Sequence, residues 1–102
     1  MSLPVIKWRV GADNYLDVTA LTNTLDGTSP TDATVTVTVR DKTRTIVTGL
    51  NAQPAPYVPD TGYRLLVDDT TTPPIGLYEA EAVATKGGVT GREYAVITVE
   101  KG

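Results

Sequence analysis

The chain has 102 residues, enough for one domain and too few for two, with a formal net charge of −3 and neither cysteine nor histidine. Without cysteine there is no disulfide framework, thiolate metal site or cysteine nucleophile, and without histidine the commonest general base and metal ligand are missing. The acidic balance has the wrong sign for a dedicated nucleic-acid binder, and no apolar run approaches the ~20 residues of a membrane-spanning helix.

Threonine (18 residues) and valine (13) dominate, and both suit pleated, half-buried surfaces. The start, Met-Ser-Leu-Pro, lacks the charged and apolar stretches of a signal peptide, and residues 1–3 read as a disordered start or a cloning remnant. From Pro4 to Val10 the alternation predicts a strand with Ile6, Trp8 and Val10 on one face and Val5, Lys7 and Arg9 on the other. After the Gly11-Ala12-Asp13 turn, Leu16, Val18 and Ala20 point one way, Tyr15, Asp17 and Thr19 the other. Residues 22–32 read as a loop with turns at Asp26-Gly27 and Ser29-Pro30.

Residues 33–40, Ala-Thr-Val-Thr-Val-Thr-Val-Arg, alternate strictly. A period of two scatters the valines around a helix but aligns Val35, Val37 and Val39 on one face of a strand. Asp41-Lys42-Thr43 predicts a hairpin into a strand over Thr45–Thr48. Leu50 to Asp60 holds Pro54, Pro56 and Pro59, which cannot donate ladder hydrogen bonds, and so predicts an extended crossover between sheets. Gly62 to Val67 reads as a strand with Tyr63, Leu65 and Val67 in phase. Asp68–Thr72 with Pro73-Pro74 is a loop. Leu77 to Thr85 follows, with Tyr78, Ala80, Ala82 and Ala84 inward and Glu79 and Glu81 outward. A flexible turn from Gly87-Gly88 to Gly91 leads to a last strand over Arg92–Val99, with Ala95, Ile97 and Val99 inward. The expectation is an all-β, antiparallel β-sandwich of about seven strands with turn signals at roughly ten-residue spacing, one domain over residues 1–102.

The candidate chemistry is sparse. Glu79 and Glu81 would lie about 6–7 Å apart on one strand face. A flat solvated face gives neither the cleft nor the raised pKa that a catalytic carboxylate pair needs, so they read as surface partners for Arg92 or Arg64. Asp68-Asp69 with Asp60, and Asp13-Asn14 with Asp17, are candidate calcium ligands without the spaced pattern of a calcium loop, and ordinary turn capping explains them better. Ser2 and Ser29 have no base, and Gly87 to Gly91 lacks a phosphate-binding lysine. Arg40, Lys42 and Arg44 form a basic hairpin that reads as a solubilising turn rather than a nucleic-acid contact. Trp8 and Tyr15 are a candidate aromatic patch, although Trp8 shares the phase of Ile6 and reads as core. No catalytic residue, cofactor or metal is expected.

Ile75-Gly76-Leu77-Tyr78 places a tyrosine at the start of a strand after a turn. This matches the tyrosine corner of immunoglobulin-like domains, whose hydroxyl bonds back to nearby backbone, so Tyr78 and Gly76 are assigned a structural role. From Asp32 to Val99 the chain resembles the immunoglobulin-like modules of tailed-bacteriophage structural proteins, of the baseplate upper protein N-terminal-domain type. The resemblance rests on the Thr31–Asp41 strand and hairpin, the Gly62-Tyr63-Arg64 strand, the Pro74–Tyr78 corner and the closing glycine-turn hairpin. It covers about two thirds of the chain, is fold-level and transfers no catalytic residue.

That resemblance implies an immunoglobulin-like sandwich in a non-enzymatic virion component of the tail, baseplate or head–tail region. Its partners would be other virion structural proteins or copies of itself, with no nucleic acid and no membrane. It would reside in the virion, or in the host bacterial cytoplasm before assembly. The expected contact surface is Arg44, Thr45, Val47, Pro54, Pro56 and Tyr57, on a free sheet edge. Two other readings fit the same residues: a bacterial surface or adhesion module of immunoglobulin-like or fibronectin-like type, and a carbohydrate-binding accessory domain.

Overall fold

The computed structural model describes residues 4–18, 33–59, 62–86 and 88–101. Among them the chain is all-β: β1 (Val5–Arg9), β2 (Asn14–Val18), β3 (Thr34–Asp41), β4 (Gln53–Pro54), β5 (Tyr57–Val58), β6 (Gly62–Val67), β7 (Gly76–Lys86) and β8 (Val89–Glu100). The strands form two sheets, β1-β8-β7-β3-β4 and β2-β6-β5.

The period-two alternation places the core. Val35, Val37 and Val39 are 3%, 0% and 0% exposed, whereas Thr34, Thr36 and Thr38 face outward. In the antiparallel β3–β7 ladder each valine lies beside an alanine: Val35 by Ala84, Val37 by Ala82, Val39 by Ala80. The alanines leave depth for larger side chains from the facing sheet, Leu16, Tyr63, Leu65 and Val67, which join the same buried cluster. Trp8, Leu50 and Ile97 are sealed within it, each burial contributing ~1.5–3 kcal/mol. The indole N–H of Trp8 on β1 donates to the carbonyl of Tyr15 on β2 at 3.0 Å, joining one sheet to the other at that side.

Among the described residues, 50–59 cross between sheets as their prolines imply. Gln53 and Pro54 pair with Val37 and Thr36, and Tyr57 and Val58 pair with Tyr63 and Gly62 in the other sheet. Ala55, between the two short strands, is buried.

Several expectations are corrected. The sandwich is not wholly antiparallel: β1 runs parallel to β8, Val5 beside Val96 through Arg9 beside Glu100. A first strand and a last strand meeting at one sheet edge leave no local signal of relative direction. The hairpin turn forms, but Thr45–Thr48 is reduced from a strand to a single antiparallel bridge, Ile46 to Arg40, because Leu50 dives into the core and pulls the chain off the ladder. Val10 falls past the end of β1 and is 39% exposed. The last strand begins at Val89 rather than Arg92, and Gly91 sits in the ladder beside Ala84 instead of in a turn. The described strands number eight rather than about seven because the proline-rich crossover contributes two short ones. The expectations for residues 1–3 and for Thr19, Ala20 and the loop 22–32 lie outside the described residues.

Val37→Asp is expected to cost more than about 3 kcal/mol in chemical denaturation, because it buries an unpaired charge. Thr36→Asp, one residue away on the outer face, is expected to cost less than about 1 kcal/mol. Equal costs would mean that β3 presents the other face to the core.

Candidate functional site

The turn after β3 is built around one carboxylate. Asp41 Oδ1 accepts from the amide of Thr43 (2.9 Å), its hydroxyl (2.6 Å) and the amide of Thr45 (3.0 Å). The Arg44 amide donates to the Asp41 carbonyl at 2.9 Å, and Arg44 is held at φ 68°, a left-handed conformation uncommon for a residue with a β-carbon. Further along, the Val47 amide bonds to the Val39 carbonyl and the Val39 amide to the Leu50 carbonyl, both at 2.9 Å. With Leu50 buried, the base of the turn is anchored in the core while its tip is exposed.

The six residues expected to form a contact surface do not make one patch: they run from the turn after β3 along the β4 edge of the five-stranded sheet and over the crossover to Tyr57 on β5 of the other sheet. Arg44 and Thr45 occupy the exposed tip, and Pro54 and Pro56 are exposed on the crossover. Pro54 is level with Thr36 on β3 and Ile46 with Arg40, four residues or about 13 Å apart along the strand. Tyr57 is 40% exposed and packs edge-on against Tyr63, ring centroids 5.4 Å apart. Val47 is half-buried and packs against the core.

The charged groups sort into two networks. Glu81 takes Arg40 and Arg92, each at 3.5 Å, and the Tyr94 hydroxyl at 3.0 Å on the outer face of the five-stranded sheet. Arg64 does not serve the glutamates. It belongs to the other sheet, donates two hydrogen bonds to the Asp17 carboxylate (2.7 and 3.0 Å) and lies 4.2 Å over the exposed Tyr15 ring. Trp8 is core, so Trp8 and Tyr15 form no joint surface patch. Lys42 and Arg44 make no ion pair among the described residues. With Arg40, Leu77, Tyr78 and Val96 they border a shallow depression of about 270 Å³, to which Asp41 and Glu79 also contribute.

The acidic loops are occupied by their own backbone. Asp68 Oδ1 accepts from the Thr70 hydroxyl and the Thr71 amide, both at 2.8 Å, and Asp13 from the Asp69 amide at 3.0 Å. The Asn14 side chain bonds to Arg9, Ala12 and Thr72. Asp60 lies outside the described residues, and among those described no three metal-binding side chains gather. The Tyr78 hydroxyl donates to the Pro74 carbonyl at 2.8 Å, folding the 74–78 turn against its own strand. Gly76, at φ 158°, carries the chain into that strand, and a β-carbon there would meet the tyrosine ring at an ordinary 3.7 Å.

Sequence reasoning missed an opening between the sheets. A cavity of about 260 Å³ lies among Ile6, Leu16, Val18, Ala80, Ala82 and Ala95, with Glu93 also on its wall. The signal was present, because Glu93 shares the phase of Ala95, Ile97 and Val99.

Tyr78→Phe is expected to cost about 1–2 kcal/mol in denaturant unfolding, since the Pro74 carbonyl loses its donor. The hydroxyl of Thr43 above all holds the Asp41 carboxyl below the ordinary aspartate range, and the side chains of Thr71 and Thr70, helped by the Thr71 amide, do the same for Asp68. Folding therefore favours their ionised forms. That contribution is complete above the unfolded value of ~3.9 and is lost as pH falls through the lower folded value. The thermal midpoint is expected to drop over that acidic window, and to drop less in Asp41→Asn. No protein-family model matches the chain, and no curated protein is similar to it.

Proposed function

We propose that the chain is an immunoglobulin-like module serving as a non-enzymatic assembly component of a tailed-phage or prophage virion, acting through protein–protein contacts. The observation that carries the fold part is strand order. Immunoglobulin-like sandwiches set one sheet of the third, sixth and seventh strands against another of the first, second, fifth and fourth. Here β1-β8-β7-β3-β4 faces β2-β6-β5, the same order except that the first strand sits on the β8 edge of the opposite sheet. The Tyr78 hydroxyl, bonding back to Pro74 at the start of β7, supports the same reading. The virion part draws on the resemblance of the Thr31–Asp41, Gly62–Arg64 and Pro74–Tyr78 segments to phage structural modules.

The contact surface in this reading is the exposed edge from Arg44 and Thr45 through Pro54, Pro56 and Tyr57. A turn pinned by Asp41 presents Arg44 and Lys42 without an entropic penalty for ordering the backbone, which favours a partner carrying carboxylates. A module repeated around a symmetric particle needs only weak contacts at each copy, because avidity multiplies them.

The test is made on particles produced by the genome that encodes the chain. Purified particles should contain it in fixed copy number by quantitative mass spectrometry, and Arg44→Glu should lower that number while leaving the thermal midpoint unchanged. Its absence from purified particles would overturn the assignment.

A further inference from the structure

Among the described residues the two sheets have four edges, β1, β4, β2 and β5, and they differ in what they offer a further strand. β4 and β5 are two residues long, and Pro54, Pro56 and Pro59 in and beside them lack an amide hydrogen. On β2 the Tyr15 carbonyl is taken by the Trp8 indole. β1 differs. The Val96 amide donates to Pro4 and the Val10 amide to Glu100, both at 2.9 Å, so the even-numbered residues of this segment turn their backbone groups toward β8. In a parallel pair a residue's N–H and C=O both face the partner or both face away. Arg9 follows this rule, its outward N–H and C=O being taken by the Asn14 side chain at 2.9 and 3.0 Å. The N–H and C=O of Val5 and Lys7 are thus left along an open edge, with no partner among the described residues.

The cavity of about 260 Å³ lies beside this stretch, where β1 and β2 leave the two sheets parted. Its wall is apolar because Ala80, Ala82 and Ala95 are too short to reach Leu16 and Val18 across the gap. Two carboxylates line it. Asp17 is already bonded twice to Arg64, whereas the half-buried Glu93 has neither ion pair nor hydrogen bond among the described residues.

We propose that the Val5–Lys7 edge accepts an extended strand from a partner protein. That strand carries an apolar side chain for the cavity and, two positions along on the same face, a lysine or arginine for Glu93. Backbone ladder bonds to Val5 and Lys7 supply the affinity, and the cavity and the unpaired carboxylate supply the selectivity. This surface is distinct from the turn at Arg44, so the two can be engaged at once.

The probe is the peptide acetyl-Thr-Leu-Thr-Lys-Thr-amide, titrated into the isotope-labelled chain and followed by amide shifts and hydrogen exchange. Saturable binding with new protection at the Val5 and Lys7 amides is expected. Lys7→Pro deletes an outward N–H and no bond to β8, and should weaken binding on the order of tenfold, as should filling the cavity with Ala82→Leu. Circular dichroism and thermal melting check that both variants fold. Glu93→Gln, which leaves core and backbone intact, should abolish the preference for this peptide over its glutamine counterpart. Absence of saturable binding at millimolar peptide, equal binding of a peptide with proline at its centre, or shifts confined to other strands would each overturn the proposal.

Discussion

The β3–β7 ladder is the constraint on which the rest of the molecule depends. Three valines set beside three alanines make one face of the central pair flat, dry and shallow. A face of that depth can be covered only by larger groups from across the sandwich, and Leu16, Tyr63, Leu65 and Val67 supply them. The strand that carries those valines also anchors the turn around Asp41. The chain leaves β3 at Asp41 and returns through Leu50, whose carbonyl bonds back to Val39 beside the same core. Rigidity at the tip of the turn is thus inherited from burial at its base.

Small side chains in the ladder have a second consequence where the covering sheet thins toward β2. Alanine at 80, 82 and 95 leaves a gap that Leu16 and Val18 do not fill, and the packing that closes the middle of the sandwich fails at its side. Protein interiors rarely keep such space unless it is lined by polar groups or opens to the surface. Here it opens beside an edge strand, and the Trp8–Tyr15 and Arg9–Asn14 bonds lock that strand in place only toward its C-terminal end. The first half of β1 is a stretch of described edge where neither proline nor a side-chain cap intervenes.

The charges divide between structure and surface in a way their spacing does not announce. Arg64 and Asp17 are cross-strand neighbours on β6 and β2, and Arg40, Arg92 and Glu81 converge from three adjacent strands. Exposed pairs of this kind contribute ~1 kcal/mol or less each, so they fix register more than they stabilise. Lys42 and Arg44, which join no such network among the described residues, remain available to a partner on an otherwise acidic chain.

The sequence alone settled the phase of the strands. Side-chain direction alternates by covalent geometry, so Val35, Val37, Val39, Tyr63, Leu65, Ala95 and Ile97 could be assigned inward from their neighbours, and the prolines at 54, 56 and 59 marked the change of sheet. Tertiary structure alone decided which strands pair and in which direction. The parallel seating of β1 on β8, the diversion of Arg64 to Asp17 and the shortening of the Thr45–Thr48 strand to one bridge depend on contacts between segments remote in the chain. Leu50 shows the reason most plainly. Nothing within a few residues of it differs from an exposed loop leucine, and only the space offered beside Val39 makes it core.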